Sequence, residues 1–331
     1  MFSLFRCVIL IIHTNTEIRL FMKTSYRECV QLLRIHAKGI TIFQSEENVV
    51  MDKTMPVDLH IHSTASDGTW PPHTLVENVL NAGIQLFAVT DHDSTENISI
   101  IKELALKKGM ALIPGVEVSA MLNKKTYHIL GLGIDPSHAG LELLLTQNRR
   151  LMEEKDDEGI RYLASVYPHL VSFQEYLSYM NNPERGGWKS LNYIIDKGLC
   201  RNYKEFFHLY SDWQDSFNQV DFPPPERVIA TIKEAGGLPV LAHPGSRMYD
   251  QDLSALLSGV LEAGIMGLEC FHPENSEETT ERCLRFCKEH GLRITGGSDC
   301  HGDFVGTRKL GLPSITLSML DLNGISILTL P

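Results

Sequence analysis

The stretch that decides the fold reads Pro56-Val-Asp-Leu-His-Ile-His-Ser63 and alternates apolar with polar residues. This period of two predicts a β-strand on which the rings of His60 and His62 point to the same face. Their Cα atoms would lie about 7 Å apart on such a strand, so both imidazoles can converge on one metal ion. Standing alone, the pair would fit two surface histidines on a half-buried strand equally well.

The pair does not stand alone, because one order of elements recurs along the chain: a helix ends at a glycine, an apolar strand follows, and polar residues end the strand. The strand-end motifs are Thr90-Asp-His-Asp93, Pro114-Gly-Val-Glu117, Ala242-His-Pro-Gly245, Phe271-His-Pro273 and Gly297-Ser-Asp-Cys-His301. Helices alternating with strands predict βαβ units and a mainly parallel sheet. In closed α/β barrels the reactive residues lie at the carboxyl ends of the strands, where these motifs fall.

A set of imidazoles and carboxylates in or near these motifs forms a candidate multi-metal site. Its members are His60, His62, Asp67, His92, Glu117, His128, His243, Asp299 and His301. Borderline and hard divalent ions accept these ligands. Two or three such ions lower the pKa of a bridging water and neutralise phosphoryl oxygens, which suits phosphate ester cleavage.

These motifs, in this order, resemble those of the polymerase and histidinol phosphatase (PHP) family of metal-dependent phosphoesterases, from about Pro56 to Pro313. The chain is most similar to stand-alone members that act on 3',5'-nucleoside bisphosphates or trim RNA from its 5' end. The short step from Glu117 to His128 and the phrase Glu269-Cys-Phe-His-Pro273 carry that closer resemblance. The implied fold class is α/β, a distorted (β/α)7 TIM-like barrel with an inserted helical lid.

The resemblance also implies up to three divalent metal ions, with manganese favoured and iron or zinc as alternatives. One ion would be held by His60, His62, Glu117 and Asp299, a second by Glu117, His128 and His243, and a third by Asp67, His92 and His301. Glu117 would bridge the first two ions. The predicted enzyme is a phosphatase or phosphodiesterase that uses a metal-bridging hydroxide, with Glu117, His272 and Asp299 as its catalytic residues.

Residues 137–222 carry no strand pattern and are predicted to form a helical insertion, bounded by Pro136 and by Pro223-Pro-Pro225. The barrel would then be discontinuous, comprising residues 56–136 and 223–331. We expect the insertion to cover the barrel mouth as a lid and to set substrate choice. Residues 1–54 are predicted to lie outside the fold; a transit peptide, or a translation start at Met51 or Met55, would explain them.

Basic side chains in or near the insertion are candidates for contacts to substrate phosphate. With His272, which we expect at the same rim, they are Arg149, Arg150, Arg185, Lys189 and Arg247. In the resembling group an arginine-then-histidine segment contacts a second phosphate, and Arg185-Gly-Gly-Trp-Lys-Ser-Leu-Asn192 departs from it. Two alternatives therefore stay open: a small-metabolite phosphatase of the histidinol-phosphate type, and a non-catalytic metal-binding regulatory module.

The composition limits the classes of molecule that the protein is expected to bind. The chain has 331 residues, 43% of them hydrophobic, and a net charge of −11. An acidic chain is a poor non-specific binder of nucleic acid, so we expect a small phosphorylated substrate or short RNA and no DNA-binding surface. The apolar run over residues 7–12 is too short to span a membrane, and seven cysteines without paired spacing favour a cytoplasmic protein.

Overall fold

A computed structural model describes residues 52–122, 124–213, 220–249 and 251–329, together with the backbone of four strands before residue 45. The chain divides into two compact units, Met1–Asp52 and Lys53–Pro331. The first unit holds an antiparallel sheet in chain order, made of β1 (Val8–Thr14), β2 (Glu17–Lys23), β3 (Gln31–His36) and β4 (Gly39–Gln44). Sequence analysis predicted no strands here, and the assignment of residues 1–54 to an extension outside the barrel stays a prediction.

The second unit is built on one seven-stranded sheet whose strands lie side by side in chain order. They are β5 (Val57–Asp58), β6 (Leu86–Val89), β7 (Ala111–Leu122), β8 (Lys125–Leu132), β9 (Leu238–Leu241), β10 (Gly267–Phe271) and β11 (Arg293–Gly296). Neighbours pair in parallel except at β8, which is antiparallel to both β7 and β9. The predicted mainly parallel sheet is therefore confirmed, and the β7–β8 hairpin is an addition to it.

Helices follow most of the parallel strands, as the pattern predicts. They are α1 (Pro72–Asn81), α2 (Ile98–Lys107), α7 (Pro225–Glu234), α8 (Leu253–Glu262) and α9 (Glu277–His290); α3 to α6 belong to the segment described below. Every residue of β6 and β9 is buried, as expected for parallel strands covered on both faces. Gly291 adopts a φ of 66° directly after α9, a left-handed conformation that glycine adopts without strain.

The sheet curls, and its two edge strands approach each other at their carboxyl ends. Leu59 N donates to Gly296 O over 3.2 Å, and Asp299 N donates to His60 O over 2.8 Å. A Cβ atom on Gly297 would lie 2.4 Å from the Cβ of His60, so this close approach requires glycine. The mixed α/β class is confirmed, but the regular ladders leave β5 and β11 as edges, giving an open half-barrel.

The described part of the segment between β8 and α7 contains helices joined by turns and no strand. Its helices are α3 (Ala139–Val166), α4 (Phe173–Ser178), α5 (Lys189–Asp196) and α6 (Tyr203–His208). The helix α3 begins at His138, whose Nδ1 accepts the N–H of Leu141 over 3.2 Å. Leu163, Leu191 and Phe206 are fully buried in a separate apolar cluster, so the insertion has a core of its own.

The sequence also led to expectations about membrane-spanning helices and about the cysteines. Within the described ranges, no helix is both long enough and apolar enough to cross a lipid bilayer. The five described cysteines, Cys200, Cys270, Cys283, Cys287 and Cys300, are all buried and free. They therefore act here as small packing residues rather than as cross-links.

Candidate metal centre

The strand ends bring all nine predicted ligands together. His60 and His62 follow β5, His92 follows β6, and Glu117 lies on β7. His128 lies on β8, and His243 follows β9. Asp299 and His301 follow β11, and Asp67 lies in the turn before α1. Since carboxyl ends of neighbouring parallel strands meet at one edge, residues far apart in sequence converge there.

The densest group contains His60, His62, Glu117 and Asp299, whose ligand atoms all lie within 4.8 Å of one another. Nε2 of His62 lies 3.0 Å from Oδ1 of Asp299 and 3.3 Å from Oε2 of Glu117. Both His62 Nε2 and Asp299 Oδ1 are buried without a hydrogen-bond partner. Buried polar atoms without a partner are costly, and two such atoms facing each other fit a shared metal ion.

Glu117 divides the centre, because its two oxygens face different histidines. Oε2 lies 3.2 Å from Nε2 of His60, and Oε1 lies 3.0 Å from Nε2 of His243. Nδ1 of His128 is also 3.0 Å from Oε1. A carboxylate in this position can bind one ion through each oxygen, and this is the geometry that a bridging ligand needs.

A third group lies beside the first and consists of His62, Asp67, His92 and His301. Nε2 of His301 is 3.3 Å from Oδ1 of Asp67, and Nε2 of His92 is 4.0 Å from Oδ2. His92 also joins Glu117 and His128 in a group of possible ligands. These groups in the structure therefore share more members than the predicted sets, which share only Glu117: His62 belongs to the first and third groups, and His92 to the third and to the group with Glu117 and His128.

Two buried carboxylates that were not predicted as site residues lie beside the ligands, and one of them, Glu269, contacts two ligands directly. Oε1 of Glu269 lies 2.9 Å from Nδ1 of His60, and its Oε2 accepts the N–H of His243 over 2.7 Å. Asp91 accepts hydrogen bonds from the hydroxyls of Ser63 and Ser66, each over 2.6 Å. The contact of Glu269 with His60 is of the kind that fixes ring orientation and tautomer in metal sites. Glu269 and Asp91 both lie inside sequence motifs named above, and that position was the available sequence signal for a role at the site.

The electrostatics favour ionised carboxylates. Burial opposes ionisation of Glu117 and Asp299, but the surrounding imidazoles outweigh it and hold the pKa of each carboxyl well below its usual range. Burial lowers the pKa of His92 to about 3, which leaves it neutral. Burial also opposes protonation of His62, but the nearby carboxylates of Asp299 and Glu117 outweigh it and raise its pKa to about 10. A divalent ion would displace that proton and supply positive charge in its place.

The backbone at the centre is strained at three strand ends. Asp93, His243 and Asp299 have φ values of 45°, 34° and 53°, in the left-handed region that side chains with a Cβ rarely adopt. Such outliers persist where surrounding contacts fix them and are concentrated at functional sites. Two of these three residues are predicted metal ligands.

The predicted substrate-binding residues divide into one within the centre and five outside it. Nε2 of His272 lies 3.3 Å from Oδ2 of Asp299. The other five form contacts elsewhere or are exposed. Arg149 donates to Asp93 O, and Lys189 donates to Leu177 O. Arg150 forms an ion pair with Glu154, Arg185 forms one with Asp196, and Arg247 is exposed. Within the described residues, none of the five forms an ion pair with a predicted metal ligand, and their roles stay predictions.

One basic residue at the centre, Arg308, was not predicted from the sequence. Nη1 of Arg308 contacts Oδ2 of Asp299, and its Nη2 donates to Oε1 of Glu274 over 2.8 Å. Arg308 lies in the loop after the last motif, where no periodic pattern marks it. Its position became evident only from the fold.

Comparison with known proteins agrees with this geometry. The sequence profile of the PHP domain matches residues 58–220. A phosphoribosyl 1,2-cyclic phosphate 1,2-diphosphodiesterase of Eggerthella lenta is 30% identical over 270 residues, which cover 75% of this chain and 94% of the relative. The chain belongs to the PHP family. Like other PHP proteins it is a metal-dependent phosphoesterase, a hydrolase that acts on phosphate ester bonds.

Further relatives of this PHP protein include a 3',5'-nucleoside bisphosphate phosphatase of Chromobacterium violaceum, 28% identical, covering 77% of this chain and 90% of the relative. The 5'-3' exoribonuclease Rnm of Escherichia coli is 29% identical, covering 78% and 90%. Among solved structures, a putative metal-dependent phosphoesterase from Bifidobacterium adolescentis superposes with a TM-score of 0.67 at 26% identity, covering 77% of this chain and 91% of that one. The predicted family is thus confirmed.

Proposed function

We propose that this PHP protein hydrolyses a phosphate ester of a nucleotide, either a 3',5'-nucleoside bisphosphate or the 5' end of short RNA. The observation that carries the proposal is the position of Glu117 between two groups of histidines. A carboxylate shared in this way suits ions a few ångströms apart, the arrangement used for in-line displacement at phosphorus. The names of the relatives from Chromobacterium violaceum and Escherichia coli support the two substrate classes.

We assign the nine residues to up to three divalent ions, with manganese favoured over iron or zinc. Our assignment keeps Glu117 as the bridging ligand and gives the third ion Asp67, His92 and His301. The donor set of imidazoles and carboxylates suits all three metals, and geometry with availability selects among them. We also propose that the hydrogen bonds between Leu59 and Gly296 and between Asp299 and His60 complete a distorted barrel.

When bound, the ions supply Lewis-acid stabilisation of phosphoryl oxygens and a hydroxide nucleophile near neutral pH. The chain itself supplies a hydrogen-bond donor. Nδ1 of His272 accepts the backbone N–H of Glu274 over 3.0 Å, so in the neutral ring the proton is on Nε2. That atom faces Oδ2 of Asp299 over 3.3 Å. We propose that this N–H donates a hydrogen bond to the leaving oxygen and stabilises its developing negative charge as the P–O bond breaks, while water supplies the proton that the oxygen finally takes up.

The helical insertion contacts the rim and is proposed to act as a lid. The N–H of Gly187 donates to Asp67 O over 2.8 Å, and Nδ2 of Asn148 donates to Oδ1 of Asp93 over 2.7 Å. Both partners lie within or next to the predicted ligand motifs. A segment attached at these points would shape the space above the ions and so select the substrate. The free cysteines support a cytoplasmic location.

A cyclic phosphodiester is the second candidate substrate, because the relative from Eggerthella lenta at 30% identity is named for that activity. Purified protein loaded with manganese is therefore tested against four substrates. These are adenosine 3',5'-bisphosphate, phosphoribosyl 1,2-cyclic phosphate, a 5'-phosphorylated oligoribonucleotide and histidinol phosphate. Release of phosphate or nucleotide from the first or third supports our proposal, and turnover of the second alone selects the cyclic substrate.

Two further outcomes would overturn the proposal. Turnover of histidinol phosphate alone would assign the protein to the small-metabolite phosphatases. Absence of turnover on every substrate, with manganese demonstrably bound, would favour a non-catalytic regulatory module. The matched control is Glu117→Gln, which keeps the side-chain volume and removes the bridging charge. Full activity in that variant would exclude the bridging role of Glu117 on which the proposal rests.

A further inference from the structure

Arg308 is a partly buried cation at the edge of the proposed metal centre. Its side chain is only 21% exposed, and its guanidinium contacts Oδ2 of Asp299 through Nη1. Nη2 donates to Oε1 of Glu274 over 2.8 Å, which anchors the planar group from a second side. Within the described residues, Arg308 is the one lysine or arginine that forms an ion pair with a proposed metal ligand.

Asp299 has a metal-facing oxygen and a second oxygen that faces hydrogen-bond donors. Oδ1 lies 3.0 Å from Nε2 of His62 and 3.4 Å from Nε2 of His60. Oδ2 instead lies 3.3 Å from Nε2 of His272 and contacts Arg308. The two donors therefore converge on one oxygen from the side away from the paired histidines. A group bound beside Oδ2 would meet the N–H of His272 and the guanidinium together.

The charge of the centre makes an anion the natural occupant of this position. The proposed ligands include three carboxylates, Asp67, Glu117 and Asp299, and the rest are imidazoles. These three negative charges do not neutralise two or three divalent ions, so the loaded centre is already cationic. A guanidinium next to such a centre adds to its positive charge, and Asp299 offsets only part of that charge, so a further anion bound beside Oδ2 is electrostatically favoured. Phosphate is such an anion and accepts hydrogen bonds from both donors.

The guanidinium has donors left for such an anion. Arginine carries five N–H groups in a fixed plane, and the contacts to Asp299 and Glu274 involve Nη1 and Nη2 alone. In the described part of the chain, its remaining N–H groups have no hydrogen-bond acceptor. Planar two-pronged recognition of phosphate is a contact for which arginine is better suited than lysine.

We propose that Arg308 contacts the phosphoryl group of the substrate, on the side of Asp299 that His272 occupies. This proposal rests on the phosphoesterase function proposed above and adds a specificity residue to it. Glu274 orients the guanidinium, and Asp299 is shared between the ions and the phosphate contact. The ligand class is a phosphate monoester or diester group with at least one free, charged oxygen.

The test measures binding of inorganic phosphate by isothermal titration calorimetry to the manganese-loaded protein. Arg308→Gln is compared with Arg293→Gln, because Arg293 forms an ion pair with Asp321 outside the centre. We expect Arg308→Gln to keep its manganese content and to bind phosphate about 10- to 100-fold more weakly, as the loss of a charge-assisted hydrogen bond predicts. Phosphate affinity in Arg293→Gln should equal that of the wild type.

Arg308→Lys keeps a positive charge beside Asp299 and so preserves the ion pair. We expect it to hold manganese normally and to bind phosphate with an intermediate affinity, because one ammonium cannot reproduce the planar fork. Wild-type phosphate affinity in both Arg308 variants would overturn the proposal. So would a loss of manganese in Arg308→Gln together with wild-type phosphate affinity in Arg308→Lys, since Arg308 would then act only by positioning Asp299.

Failure of the broader function has a different signature. If no substrate is turned over while phosphate binding still depends on Arg308, the hydrolytic function fails and the phosphate contact stands. If substrates are turned over while phosphate affinity is indifferent to Arg308, the function stands and the contact fails. Steady-state constants add a further readout: a contact made in ground state and transition state alike raises KM at unchanged kcat.

Discussion

Glu269→Gln is the sharpest test of how the centre is held together. Glu269 is fully buried on β10 and uses one oxygen for each of two donors, Nδ1 of His60 at 2.9 Å and the backbone N–H of His243 at 2.7 Å. Burial raises the pKa of this carboxyl, but the imidazoles of His60 and His272 outweigh it and bring the pKa below its ordinary value. The group is therefore an ionised acceptor for both donors at neutral pH.

A glutamine offers one oxygen and one NH2 group in the same space, so one of the two donors loses its acceptor. The backbone N–H of His243 cannot change its role, and the amide oxygen must turn to it. The NH2 group then faces Nδ1 of His60, which has to become an acceptor. The proton of His60 moves to Nε2, the atom 3.2 Å from Oε2 of Glu117, and the lone pair that would bind the ion is lost.

The expected magnitude follows from losing one outer contact to a ligand. Such changes weaken metal affinity or activity by about 10- to 100-fold, which corresponds to about 1.4 to 2.7 kcal/mol. Manganese content is measured by mass spectrometry after dialysis, and affinity is measured by calorimetry. The matched control is Glu103→Gln, the same substitution at an exposed position on α2. Wild-type manganese affinity in Glu269→Gln, in a folded protein, would refute the tautomer argument.

Four further outcomes follow from the same contacts. Glu117→Gln should abolish turnover and lower manganese content, measured on one preparation; full activity would exclude a bridging role. Manganese at 100 times its dissociation constant should stabilise the fold by about 2.7 kcal/mol in urea titrations, and a chelator should reverse this. Gly297→Ala should lower the melting temperature and manganese content, because its Cβ would lie 2.4 Å from that of His60. Burial raises the pKa of Asp156 from 3.8 to about 7, so the folded state binds the extra proton and wild-type stability should fall as pH rises from about 4 to 7. Asp156→Asn should remove that fall, about 4 kcal/mol over some three pKa units, whereas Glu154→Gln on the same helix should keep it.

The centre was largely predictable because its ligands lie in short motifs at strand ends. His60 and His62 are fixed by the alternation of one strand, and Glu117 and Asp299 by the ends of two others. The periodicity determines which way each side chain points, and the parallel arrangement determines that the ends meet. These are local regularities, and a single sequence displays them.

Contacts between distant segments were not predictable in the same way. Glu269 bonds to His60, 209 residues away, and its place in a motif did not indicate which residue it would contact. Arg308 reaches Asp299 from an irregular loop, whose path depends on tertiary packing. The strand β8 was missed because it follows β7 after a tight turn without an intervening helix. Each miss depends on a long-range pairing or on a turn, where periodicity carries no signal.

Each of the two carboxylates at the middle of the centre uses its two oxygens for different contacts. Glu117 turns one oxygen to His60 and the other to His243, so it joins two groups of metal ligands. Asp299 turns one oxygen to His62 and the other to Arg308, so it joins the metal side to the proposed phosphate side. Changes around Glu117 should therefore alter metal content first, and changes at Arg308 should alter phosphate affinity first. Asp299 itself should alter both, because one of its carboxylate oxygens faces the histidines and the other faces the guanidinium.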